Sequence, residues 1–210
     1  MEAARELRTG SLRAERRAAT RDAIVAGTLS LVTEGGWTAA SMHDVARRAG
    51  VATGTLYRHF PSKSELLAEV FAEAAARELA VVADLASRPA PAPLRRLGAA
   101  IEAFAHRAGA APMLAHALMA EPAGPAVEAA RLTNRREYAR VFATLLDEAT
   151  AAGEIAPLDT GVAAAAIVGA LQEALLGRLA PRRAGPRLVA ELVTFTINAV
   201  GGAPPAHGRS

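Results

Sequence analysis

Residues 49–67, AGVATGTLYRHFPSKSELL, set a tyrosine, an arginine and a histidine side by side on one short segment, with a lysine just past a proline. Neither a buried helix nor an ordinary surface helix needs such a series. Three chemistries could use it: a catalytic histidine, a metal site, or a surface that grips an anion. Catalysis at His59 would require an orienting acid and a nucleophile, and the sequence places neither beside it. His106 and His116 lack the His-x-x-x-His spacing that would make them a ligand pair. There are no cysteines, so disulfides, thiolate ligands and a cysteine nucleophile are all excluded. No metal and no cofactor is implied, which leaves the anion-gripping surface as the best fit.

Charge distribution points the same way. Residues 1–63 hold ten Arg and Lys against six Asp and Glu, whereas residues 64–210 hold fourteen against fifteen. The basic excess is N-terminal, as an anionic partner there would favour. Residues 1–12 read as a flexible basic arm. The arginines Arg5, Arg8, Arg13, Arg16 and Arg17 either reach a phosphate or a minor groove, or remain solvated.

The elements that must carry these residues are helical. Apolar residues make up 51% of the chain but aromatics only 4%, so the core is built of Ala, Leu, Val and Ile, and alanine is the strongest helix former. Residues 13–34 carry Ile24, Thr28, Leu31 and Val32 on one helical face, and Gly35-Gly36 stops them before Trp37. Ser41 with Asp44, and Ser62 with Glu65, have the spacing of helix-opening capping boxes. Further breaks fall at SRPAPAP (87–93), EPAGP (121–125), Gly153 and PRRAGP (181–186). Nine helices and no strand are expected, an all-α chain, with residues 201–210 a disordered tail.

Two short helices, 41–49 and 53–59, joined by a tight glycine turn have the spacing of a helix-turn-helix, whose second helix lies in the major groove. Leu56 and Phe60, four apart, share the buried face, which leaves Thr53, Thr55, Tyr57, Arg58 and His59 on the others. Threonine can bond a base edge or touch a thymine methyl, and arginine can fork onto guanine. Gly54 allows close approach to the duplex, and Tyr57 and Lys63 suit phosphate oxygens.

Over about Thr20 to Leu67 the chain resembles the N-terminal domain of TetR-family transcriptional regulators. The match is carried in order by Ile24, Gly36-Trp37, Ser41, Asp44-Val45-Ala46, Ala49-Gly50-Val51, Gly54-Thr55-Leu56-Tyr57, His59-Phe60 and Ser62-Lys63-Ser64-Glu65-Leu66-Leu67. The resemblance implies a homodimer with residues 13–60 as the DNA-binding unit and residues 61–200 as the ligand-binding and dimerisation domain. By motif position it gives Ser41 and His43 to the bracing helix, Thr53, Gly54, Thr55, Tyr57, Arg58 and His59 to the recognition helix, and Lys63 to phosphate. The chain departs from the family at Ala52, where a serine or similar cap is usual, so Thr53 is either the cap or a base reader.

The resemblance also implies a dimer interface through residues 159–179 and 186–200, whose broad apolar faces must be covered, and a roughly palindromic operator. Candidates for an effector pocket are Phe104, Met113, His116, Met119, Asn134, Tyr138, Phe142 and Gln172, polar or adaptable residues on apolar stretches. The expected function is a DNA-binding regulator, a repressor released by a small hydrophobic effector. The alternatives are a DNA-binding dimer without an effector and, less well supported, a helical enzyme. With no signal peptide evident and no apolar run near the about 20 residues of a membrane span, a cytoplasmic protein is expected.

Overall fold

The computed structural model describes residues 2–89, 92–179 and 186–202, and the described residues form nine α-helices and no strand. In chain order these are α1 (Glu2–Ala39), α2 (Met42–Arg48), α3 (Thr53–His59), α4 (Lys63–Ser87), α5 (Pro93–Ala110), α6 (Pro112–Met119), α7 (Pro125–Ala151), α8 (Thr160–Leu179) and α9 (Pro186–Ala199). Among the described residues no helix is long and apolar enough to cross a membrane.

Most boundaries follow from local chemistry. The Ser41 hydroxyl accepts the Asp44 amide at 3.1 Å, and the Ser62 hydroxyl accepts the Glu65 amide at 3.2 Å, so both capping boxes open helices as their spacing predicts. Prolines begin α5, α6 and α7, where a missing N–H costs nothing. Gly153, at φ +71°, closes α7. The arm expected over residues 1–12 is instead helical from Glu2. Its residues are mostly strong helix formers, and a lone glycine at Gly10 costs only about 1 kcal/mol, too little to break a helix already nucleated downstream. The expected tail over 201–210 lies outside the described residues from 203 on.

Gly35 and Gly36 kink α1 out of helical geometry, Gly36 taking φ +71° and ψ −171°. The kink turns Trp37 inward, where it is 2% exposed. Around it lies one apolar core, made of Ile24, Val32, Val45, Leu56, Phe60, Leu66, Val70 and Phe71, together with Ala117 of α6 and Val127 of α7. Burying Leu56 and Phe60 fully is worth about 1.5–3 kcal/mol each and holds down a helix of only seven residues. A second core joins α5, α7, α8 and α9 through Leu97, Ile101, Phe142, Leu146, Leu171, Leu175, Val193 and Ile197. The first three helices are thus seated on α6 and α7.

Gly36 is needed twice over: its φ is positive, and a Cβ there would collide with the Glu121 carboxylate. Gly50 shares the positive φ, at +68°, but faces open space. Gly36→Ala is therefore expected to cost about 3 kcal/mol or more, and Gly50→Ala only about 1–2 kcal/mol, as read by urea denaturation. Equal losses would mean that Glu121 moves aside freely.

Candidate nucleic-acid interface and ligand cavity

Of the recognition candidates on α3, four are exposed, whereas Thr55 and His59 are half-buried. Thr53, Gly54, Tyr57 and Arg58 of α3 are exposed, Tyr57 to 48%, while Leu56 and Phe60 are fully buried beneath them. Gly54 has nothing near the position a Cβ would take. Ala52 makes no side-chain capping bond to α3, and Thr53 is its first helical residue, so the threonine does not cap. The Arg58 guanidinium donates to the Thr55 hydroxyl at 2.9 Å. His43 is exposed on α2, Ser41 is occupied as the α2 cap, and Lys63 is exposed at the start of α4.

Side chains distant in sequence fix the pose of these helices. Arg21 of α1 forms a two-pronged pair with Glu69 of α4, donates to the His59 carbonyl at 3.1 Å, and lies 4.3 Å from the centre of the Phe60 ring. One guanidinium thus bolts α1 to both ends of the α3–α4 junction. On the other flank Arg48 of α2 clamps Glu34 of α1 at 2.6 and 2.9 Å. Hydrogen bonds from Arg48 first, then Ser30, hold the Glu34 carboxyl down at about 2. Burial first, and then Arg17, Arg21 and Arg58, push the His59 imidazole below its ordinary value, so it is neutral near pH 7.

A cavity with about 580 Å³ of empty space, its open mouth included, lies among α4, α5, α6, α7 and α8. Phe104, Met119, Asn134, Tyr138 and Gln172 line it. Phe142 lines a smaller space of about 220 Å³ that shares Phe104, Tyr138 and Gln172 with the first. Phe104 packs edge-on to Tyr138 with ring centres 5.3 Å apart. Two sequence candidates fall elsewhere: Met113 is exposed, and His116 lines neither space. The helical period explains this. The cavity face of α6 carries Ala111, Leu114, Ala115, Leu118 and Met119, at spacings of three and four, and positions 113 and 116 point away from it.

The wall also holds three charged residues that reading along the chain missed: Glu78, Arg107 and Arg131. Arg107 grips Glu78 through Nε and Nη2, at 2.5 and 2.7 Å. Arg131 is 6% exposed and pairs with Glu128. It also donates to the carbonyls of Leu118 (2.9 Å), Ala117 (3.1 Å) and Glu121 (2.8 Å), the C-terminal end of α6. The available signal was a charge on an apolar stripe: Val127, Arg131, Tyr138 and Phe142 share one face of α7, as Phe71, Ala75, Glu78 and Val82 do on α4.

The same end of α6 holds the kink of α1. The Glu121 carboxylate accepts the Trp37 amide at 2.9 Å and the Thr38 amide at 3.2 Å, and the Trp37 indole donates to the Ala117 carbonyl at 2.8 Å. The cavity wall and the kink of α1 therefore share one hydrogen-bonded cluster. Among the described residues no group of three or more metal-ligating side chains comes together.

Comparison with known proteins covers both halves. The sequence model for bacterial regulatory proteins of the tetR family matches residues 24–70, and that for the tetracyclin repressor-like C-terminal domain matches residues 91–175. The HTH-type transcriptional repressor KstR of Rhodococcus jostii is 52% identical over 52 residues, 25% of this chain and 24% of that repressor. KstR of Mycobacterium tuberculosis is 51% identical over 47 residues, 22% of this chain and 21% of its own length. The chain thus spans about a quarter of the curated relatives it matches.

Solved structures extend the likeness of fold. NemR of E. coli covers 90% of this chain and 99% of its own, with a TM-score of 0.74 at 16% identity. The fatty acid degradation regulator FadR of Bacillus halodurans covers 84% and 97%, with 0.71 at 21%. FadR of Bacillus subtilis, solved in complex with stearoyl-CoA, covers 86% and 98%, with 0.70 at 21%.

The Glu121 contacts generate a direct test. Glu121→Ala removes a charged acceptor from two amides and is expected to cost on the order of 1–3 kcal/mol. Trp37 is the only tryptophan, so its emission should shift to the red as the kink loosens. An unshifted spectrum would show that Trp37 stays buried without Glu121.

Proposed function

The chain belongs to the TetR family of bacterial regulatory proteins, and from that premise we propose that it is a cytoplasmic transcriptional repressor, released from its operator by a small hydrophobic effector. Residues 13–60 bind DNA, and residues 61–200 hold the effector and a second copy of the chain. Thr53, Gly54, Thr55, Tyr57, Arg58 and His59 face the major groove, Ser41 and His43 brace from α2, and Lys63 meets a phosphate. The exposed polar face of α3 over a fully buried Leu56 and Phe60 supports this arrangement.

One observation carries the ligand response: the hydrogen-bonded cluster in which Arg131, on the cavity wall, and Glu121 with Trp37, under the DNA-binding helices, meet on the last turn of α6. An effector that shifts α6 against α7 must disturb the segment just before α2. α4, which leaves α3 at Ser62 and carries Glu78 on the cavity wall, is the second lever. The effector must bind the two conformations unequally for DNA affinity to change. The cavity favours this reading over a DNA-binding dimer without an effector. Its mostly apolar lining supports a hydrophobic ligand, a class to which the stearoyl chain bound by the Bacillus subtilis FadR belongs.

The dimer forms through 159–179 and 186–200. α8 leaves Val162, Ala165, Ala166 and Gly169 exposed, and α9 leaves Phe195 57% exposed, an apolar face without cover in the single chain. Two reading heads held at fixed spacing call for a palindromic operator.

Gel shifts against the chain's own upstream region, run over a series of salt concentrations, test the DNA reading. Arg58→Ala should weaken specific binding by about ten- to a hundredfold, whereas Lys63→Ala should weaken binding to every sequence and lower the salt slope by about one. Retention of no DNA even at low salt would overturn the repressor assignment. For the dimer, Phe195→Arg should yield monomers in sedimentation, and with them a loss of operator binding. A variant that stays dimeric would move the interface elsewhere.

A further inference from the structure

Two side chains that line the cavity are buried yet lack a hydrogen-bond partner among the described residues: Tyr138, 5% exposed, and Gln172, 8% exposed. Asn134, three residues before Tyr138 on the same face of α7, lines the cavity too and is likewise without a partner there. Among the described residues the one enclosed side-chain atom without a partner is the Arg96 Nε, which does not line the cavity. The Tyr138 hydroxyl and the Gln172 and Asn134 amides instead open onto the cavity, where an occupant can bond them.

The charges on the wall are in the opposite condition. Glu78 and Arg107 neutralise each other through two hydrogen bonds. Arg131 is neutralised by Glu128, and its Nε and Nη2 are spent on three carbonyls of α6. An ionic group entering the cavity would find no uncompensated counter-charge and would lose its hydration. An uncharged group would lose far less and would meet three ready partners.

We propose that the part of the effector enclosed here is uncharged and apolar and carries an oxygen acceptor, as in an ester or a ketone, which takes the Tyr138 hydroxyl and the Gln172 and Asn134 amides. This rests on the reading of the cavity as the effector site. Burial, reinforced by the Glu78 carboxylate, pushes the Tyr138 hydroxyl well above its ordinary value, so it stays protonated and donates. Phe104, Tyr138 and Gln172 stand where the larger space meets the smaller one.

The test uses the full-length protein and three probes of one chain length: methyl octanoate, octanoate and octylammonium. Binding is read by thermal shift and titration calorimetry. The ester should bind at least about tenfold more tightly than either ion. Tyr138→Phe keeps the ring against Phe104 and should lower ester affinity about tenfold. Glu78→Gln leaves Arg107 without its counter-ion and should turn the preference toward octanoate. The inference is overturned if an ion binds wild type as well as the ester, if Tyr138→Phe leaves ester binding untouched, or if no probe binds up to its solubility limit. Operator retention on the same samples separates the two claims. An ester that binds through Tyr138 but leaves the protein on DNA upholds this chemistry and removes the effector role.

Discussion

The last turn of a short helix, α6, is where the two halves of this chain are joined. A helix end leaves up to four carbonyls without internal partners. Here two groups of different origin take them: the Arg131 guanidinium, from the cavity wall on α7, and the Trp37 indole, from the end of α1. They share the Ala117 carbonyl. Arg131 also lies 6.0 Å from the centre of the Phe71 ring, so α4 is tied to the same point. Removing any one partner leaves a buried polar group exposed to an apolar surrounding, which costs more than a surface bond would.

On the proposed function, that dependence would give a ligand in the cavity a mechanical handle. Arg131 is committed on every side, so the cavity wall moves only if α6 moves with it. Glu121, one turn of chain beyond, carries any such motion to the backbone of Trp37 and Thr38. Gly36 keeps that carboxylate close by offering no side chain. Two further clamps hold the N-terminal helices: Arg48 with Glu34 joins α2 to α1, and Arg21 with Glu69 ties α1 to α4.

Much of this was legible in the sequence wherever the controlling chemistry is local. The Ser41 and Ser62 capping boxes, the prolines that open α5 to α7, and Leu56 with Phe60 four residues apart are all decided within one turn. So is the apolar face of α1 formed by Ile24, Thr28, Leu31 and Val32. Residues 2–12 were misjudged because charge was read as disorder although the residue types favour helix. The clamps were not legible for a different reason. Arg21 and Glu69 lie 48 positions apart, and Arg107 and Glu78 lie 29 apart, and a charge without a visible partner reads as a solvated face. Met113 and His116 failed as cavity residues because chemical type was weighed ahead of position on the helix.

The exposed strip of α8 has a consequence for identity. Ala165, Ala166 and Gly169 project little beyond the backbone, so two copies paired there can bring their helix axes unusually close. Closeness of that kind is a steric password. A related chain with a leucine in place of Ala165, Ala166 or Gly169 would hold the axes apart there. In the proposed dimer such a strip would sort self from near relatives of the same nine-helix shape.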